Sequence, residues 1–191
     1  MSFTDQLINV LYKITTGSKK VRTLLTPVGA TVFFCFIILF IVSSLYLDRV
    51  LKLPKLLPSP LNLVLSLPLL FFGLFLVLWS VLHFLKVNGT PVPFNPPPRL
   101  VTNGPYAHVR NPMLTGVFIL LFGLGAAFRS VSLFFIFTPL FICFNVWELK
   151  SIEEPELCRR LGQKYIKYKA STPMFIPASR IKGKDKKWSS N

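Results

Sequence analysis

Four stretches of this chain carry no charged side chain. Residues 23–47 and 56–85 make runs of 25 and 30, and residues 111–128 and 130–147 make runs of 18 each. A helix rises about 1.5 Å per residue, so crossing a hydrocarbon core of about 30 Å takes roughly 17–25 residues. The first two runs are long enough. The last two just reach that length, and only Arg129 divides them. They read as a tight helical hairpin with Arg129 reaching the interface at its tip; the alternative is a buried hairpin that does not fully cross. Composition agrees with a membrane setting. Charged residues are 15% of the 191, against about 25% in soluble domains, and the abundance of Phe, Leu and Ile excludes disorder. The expectation is an all-α polytopic membrane protein with about four transmembrane helices and surface helices at both ends.

The chain holds 22 Lys and Arg but 7 Asp and Glu, a formal charge of +15. Such a balance suggests nucleic acid until the cations are mapped onto the spans. With four spans, both termini and the loop after residue 85 share one side, which holds 18 of the 22; Arg49, Lys52, Lys55 and Arg129 lie opposite. The positive-inside rule places the larger group, with both termini, in the cytoplasm. The excess charge then reflects topology and attraction to anionic membrane lipid, with no nucleic-acid partner expected. Cys35, Cys143 and Cys158 give neither a disulfide framework nor a metal pattern, and His83 and His108 have no third ligand. Apolar Leu7, Ile8, Leu11 and Tyr12 sit among polar residues, consistent with a helix on the membrane surface. Gly116, Gly123, Gly125, Ala126 and Ala127 give the third run the small residues that let helix backbones approach.

Two polar segments exceed what an anchor needs. In the first, seven of sixteen prolines lie between Pro91 and Pro112. Proline fixes φ and biases its predecessor to extended backbone, so this loop is stiff and non-helical. It delivers Asn103-Gly104-Pro105 as a turn, then Arg110-Asn111-Pro112, where Pro112 suits the first turn of a helix. A helix N-terminus beside Arg110 is a ready site for a carboxylate or phosphate, although Arg110 could equally face lipid headgroups. The second segment follows Trp147. Glu154 precedes Pro155, which predicts a helix break and restart there. Beyond it Leu157, Leu161, Tyr165 and Tyr168 share one helical face, and Glu153 falls on that face if the phase survives. The three acids Glu153, Glu154 and Glu156 also suit the positive end of a helix dipole.

Together the segments offer a guanidinium, helix N–H groups, a phenol (Tyr106) and carboxylates. That set suits a zwitterionic nucleoside such as S-adenosylmethionine. Phosphate loops, dinucleotide fingerprints, metalloprotease motifs and serine-nucleophile elbows are absent from the sequence.

The pattern Leu100-Val101-x-x-Gly104-Pro105-Tyr106-x-x-x-Arg110-Asn111-Pro112-Met113, followed by Glu153-Glu154-x-x-Leu157-x-x-x-x-Gly162-x-x-Tyr165-x-x-Tyr168, resembles the integral-membrane methyltransferase superfamily. That group includes isoprenylcysteine carboxyl methyltransferases and phospholipid methyltransferases. The resemblance covers roughly residues 86–177 and implies a helical membrane enzyme using S-adenosylmethionine on a lipophilic acceptor. It implies cofactor contacts from Pro98, Arg99, Leu100 and Val101, from Tyr106, from Asn111, Pro112, Met113 and Leu114, and from Glu153 with Glu154. Arg110 is implied as a carboxylate contact or as a brace for the loop. Two positions depart from the isoprenylcysteine branch: Asn111 replaces its His, and Leu149 stands where it has an Arg. Membrane sterol reductases, which bind NADPH, share a looser likeness at Cys158, Gly162 and Tyr165. A non-enzymatic four-helix adaptor is the remaining alternative, and it requires Tyr106, Arg110 and Glu153 to lie far apart. The chain then divides into a basic amphipathic segment (1–26), two transmembrane helices (27–85), a catalytic region (86–180) and a basic tail (181–191).

Overall fold

The structure is a computed structural model, described here for residues 3–87, 90, 92–97 and 99–177. It is all-helical, with no strand among the described residues. Helix α1 (Phe3–Thr16) is followed by the long α2 (Lys19–Val50) and by α3 (Leu61–Leu85). After the proline-rich loop come a 3-10 turn at Gly104–Ala107 and helix α4 (Pro112–Ala127). Helix α5 runs over Leu133–Leu161, and α6 (Gln163–Ser171) closes the described chain.

Helices α2, α3 and α5 are each long and apolar enough to cross a membrane, whereas α4 has 16 residues. At about 1.5 Å per residue α4 measures about 24 Å, short of a full hydrocarbon core. Its position compensates. Val117, Phe118 and Leu121 of α4 form the buried core with Phe141 of α5, ringed by Phe33, Phe36 and Phe40 of α2 and Val77 of α3. Where lipid is as apolar as the side chains, association rests on close packing. Accordingly α3 and α4 touch backbone to backbone: a Cβ on Gly73 would lie 2.8 Å from the Gly116 carbonyl oxygen, and one on Gly116 equally close to that of Gly73. The outer faces of α2 and α3 present Phe34, Ile38, Leu39, Phe71, Phe72 and Leu82 to the surroundings.

The expected break before Pro155 does not occur. Residues Leu149–Glu153 form a π turn instead, in which the Glu154 N–H reaches back to the Leu149 carbonyl. Pro155, which has no N–H to donate, follows directly at the seam between the π and α registers. Pro139 is handled the same way, just after a π turn at Leu133–Phe137. The helix ends later, at Gly162, whose φ of +59° is a left-handed conformation that glycine adopts without a Cβ clash.

Two polar clusters cap the bundle. At one end the 51–60 loop meets the α4–α5 turn. Arg129, in a left-handed conformation (φ 57°), donates from Nε to the Leu57 carbonyl at 2.7 Å and accepts from the Leu56 N–H at 3.1 Å. It is thus pinned to protein, where the sequence suggested a tip reaching for the interface. Asp48 of α2 accepts from the Ser130 hydroxyl and, at 2.9 Å, from the Ser132 N–H. At the other end gather α1, the proline-rich loop and the C-terminal part of α5, the grouping that four spans require.

Candidate active site

Arg110 joins the two polar segments. Its guanidinium stands 2.7 Å from Glu154 in a close ion pair and donates to the carbonyls of Lys169 (2.7 Å) and Thr172 (3.0 Å). Glu154 is 3% exposed and also meets Lys169 Nζ at 2.6 Å. The backbone continues the link: the N–H groups of Arg110 and Asn111 donate to the carbonyls of Pro173 (2.8 Å) and Met174 (3.1 Å), so residues 172–175 form a strap across the start of α4. The Tyr168 hydroxyl donates to the Tyr106 carbonyl at 2.7 Å. Of the two roles open to Arg110, the geometry fits the brace.

Gly104 closes the loop against α3. Its φ is +58°, and a Cβ there would fall 2.1 Å from Nε2 of His83, whose Nδ1 faces the Trp79 carbonyl at 2.9 Å. This turn inserts Tyr106 beside Phe84 (ring centroids 5.0 Å apart) and leaves it 5% exposed. The Tyr106 hydroxyl is buried without a hydrogen-bond partner; the nearby Ser80 hydroxyl, which slightly favours its ionisation, already donates to the Leu76 carbonyl at 2.6 Å. Burial pushes the phenols of Tyr106, Tyr165 and Tyr168 well above their ordinary range, with the charge of Glu153 adding to the effect on Tyr106. All three stay protonated, hydrogen-bond-donating phenols at neutral pH.

Between these elements lies a cavity open to the surface. The proline-rich loop supplies Arg99, Leu100 and Val101 to its wall. The turn and α4 supply Tyr106, Arg110, Asn111, Met113 and Leu114, and α5 supplies Glu153 and Leu157. Pro112 and Glu154 do not face the cavity; both are buried behind it. Pro98 lies outside the described residues. The helical phase survives the π turn, so Glu153 shares the cavity wall with Leu157, Leu161, Tyr165 and Tyr168. Among the described residues Glu153 makes no hydrogen bond or ion pair, whereas Glu154 and Glu156 are each matched. The adaptor's requirement that Tyr106, Arg110 and Glu153 lie apart is not met.

A family model described as phospholipid methyltransferase matches residues 61–164, more than half of the sequence. The chain belongs to the phospholipid methyltransferase family. No curated protein matches it. The match covers α3, α4, α5 and both polar segments, and with the apolar helices it makes this an integral membrane protein of a methyltransferase family. It stops before Tyr165 and Tyr168 and does not include α1, yet all three reach the cavity, α1 through Leu11.

Sequence reasoning missed three wall or support residues. Arg160 and Glu156 line the cavity, and their signal was spacing: Arg160 lies seven residues, two turns, beyond Glu153. Thr15 of α1, which donates to Glu156 Oε1 at 2.6 Å, carries no sequence signal, since the two are 141 residues apart.

Proposed function

We propose that this protein transfers a methyl group from S-adenosylmethionine to a lipophilic acceptor drawn from the membrane, at a site on the cytoplasmic side. The observation that carries the reading is one cavity bounded by both motif segments and holding two polar groups that make no hydrogen bond or ion pair among the described residues, the Glu153 carboxyl and the Tyr106 hydroxyl. Unmatched buried polar groups cost stability unless something satisfies them. These two suit the cofactor: a carboxylate for an ammonium or ribose hydroxyls, and a neutral phenol to donate a hydrogen bond. Val101, Leu114, Leu157 and Leu161 add apolar walls for a base. The first turn of α4 contributes N–H groups that lack intrahelical acceptors.

When bound, S-adenosylmethionine supplies a methyl group already activated on a sulfonium. The protein's own task is then alignment and exclusion of water. The stiff proline-rich loop and the Arg110–Glu154 brace hold the walls in place, and the buried phenols bring hydrogen bonds without charge. The acceptor is read as lipophilic because the helices below the cavity expose Leu82, Leu85, Phe144 and Trp147. The cytoplasmic placement rests on the 18 Lys and Arg that share its side. An isoprenylcysteine-like carboxylate and a phospholipid headgroup are both acceptors of this class.

Purified protein in detergent is expected to bind labelled S-adenosylmethionine saturably, Glu153→Ala and Tyr106→Phe to weaken that binding, and membrane lipid extracts to become methyl-labelled. Absence of saturable binding by the wild-type protein overturns the reading.

A further inference from the structure

On the cavity wall, the half-buried Arg160 keeps part of its guanidinium free among the described residues. Arg110, where the motif directs attention, has both Nη groups engaged by Glu154 and two carbonyls, with only its Nε left buried without a partner. Arg160 differs. Its side chain is 13% exposed on the cavity wall, and its Nε donates to Glu156 Oε1 at 2.8 Å. Neither Nη group makes a hydrogen bond among the described residues. Its direction is fixed from behind. Glu156 is 1% exposed, and the same Oε1 accepts from Thr15 of α1 at 2.6 Å. Further along α1, Asn9 Oδ1 accepts from Arg159 at 2.6 Å, and the Arg159 guanidinium lies 4.2 Å from the Tyr12 ring centroid. Helix α1 is therefore docked on α5 by its polar face. Glu153, two turns before Arg160 on the same face, lines the same cavity without a partner.

We infer that Arg160 binds the carboxylate of the cofactor's amino-acid end while Glu153 takes its ammonium, and that Glu156, latched by Thr15, is the positioning residue that aims Arg160. The inference rests on the S-adenosylmethionine reading above and assigns the charged end of that ligand to named side chains. It also gives α1 a role, although the family match begins at residue 61. An open guanidinium fork and an open carboxylate two turns apart on one wall match a zwitterion.

The test compares two ligands on the full-length protein in detergent. S-adenosylhomocysteine keeps the amino-acid end; 5′-methylthioadenosine has the same nucleoside and a thioether without it. Arg160→Gln is expected to weaken S-adenosylhomocysteine about 10–100-fold, the range for a charge-assisted hydrogen bond or two, and to leave methylthioadenosine unchanged, which also reports that the site is folded. Arg160→Lys should fall between. Thr15→Val should weaken S-adenosylhomocysteine selectively by a smaller factor. If wild-type protein binds neither ligand, the cofactor reading falls and takes this inference with it. If wild type binds both, and Arg160→Gln and Arg160→Lys weaken the two ligands equally or not at all, the cofactor reading stands and the assignment of Arg160 is overturned. An unchanged Thr15→Val variant removes the latch.

Discussion

At the far end of the bundle each oxygen of Asp48 has its donor, the Ser130 hydroxyl on one and the Ser132 N–H on the other, and Arg129 is held by the Leu57 carbonyl. The buried side-chain atoms left open there among the described residues are neutral, the Ser132 hydroxyl and the Asn62 side-chain amide oxygen. At the near end Glu154 and Glu156 each stand in an ion pair, although Glu154 Oε1 and Arg110 Nε lack a hydrogen-bond partner. Glu153, between α5's two registers, makes no hydrogen bond or ion pair among the described residues. A carboxyl group is expensive to leave unmatched away from water. A cluster built only to hold helices together has no reason to keep one. The far end is a clasp, and the near end is a clasp wrapped around a cavity.

The largest effect expected from that contrast is at the brace. Arg110→Ala strands Glu154 with only the half-exposed Lys169, and removing one member of a buried pair costs about 3–5 kcal/mol. It also frees the strap over residues 172–175. Thermal unfolding in detergent should show a large drop in midpoint, with cofactor binding lost alongside. An unchanged midpoint would mean that the brace does not hold the two segments together. Asp48→Ala should cost less, about 1–3 kcal/mol for the stranded Ser132 N–H and Ser130 hydroxyl. Because that end has no part in the cavity, binding measured below the new midpoint should match wild type. Impaired binding in Asp48→Ala would erase the distinction between the ends.

The helices were legible because charge is the strongest signal a membrane leaves in a sequence: four uncharged runs map onto α2, α3, α4 and α5. Two readings required the fold. Pro155 reads locally as a stop, and only the neighbouring turn shows how α5 continues through it by widening to π geometry. The tip residue Arg129 reads as an interface cation, but its partner Leu57 is 72 residues away. The site divides along the same line. Gly104, Tyr106 and Glu153 were findable because a positive-φ turn and a carboxylate on an apolar face have local signatures. Arg110 was findable as a residue, but its choice between ligand and brace depends on Glu154, 44 residues on, and the strap beyond it. Thr15 had no signature at all.

The smallest shift in stability belongs to Glu153→Gln, and it separates the two ends most cleanly. The amide keeps the size of the side chain and removes an unmatched ionisable group set beside Glu154 and Glu156. Stability should rise, by about 0.5–1 kcal/mol as at other sites where function holds a residue away from its stability optimum. Labelled-cofactor binding should fall in the same preparation. Stability and binding then move in opposite directions at Glu153, fall together at Arg110, and part company at Asp48, where only stability changes. A lower unfolding midpoint in Glu153→Gln would show that the carboxylate already has a structural partner, and the near end would then be a clasp like the other.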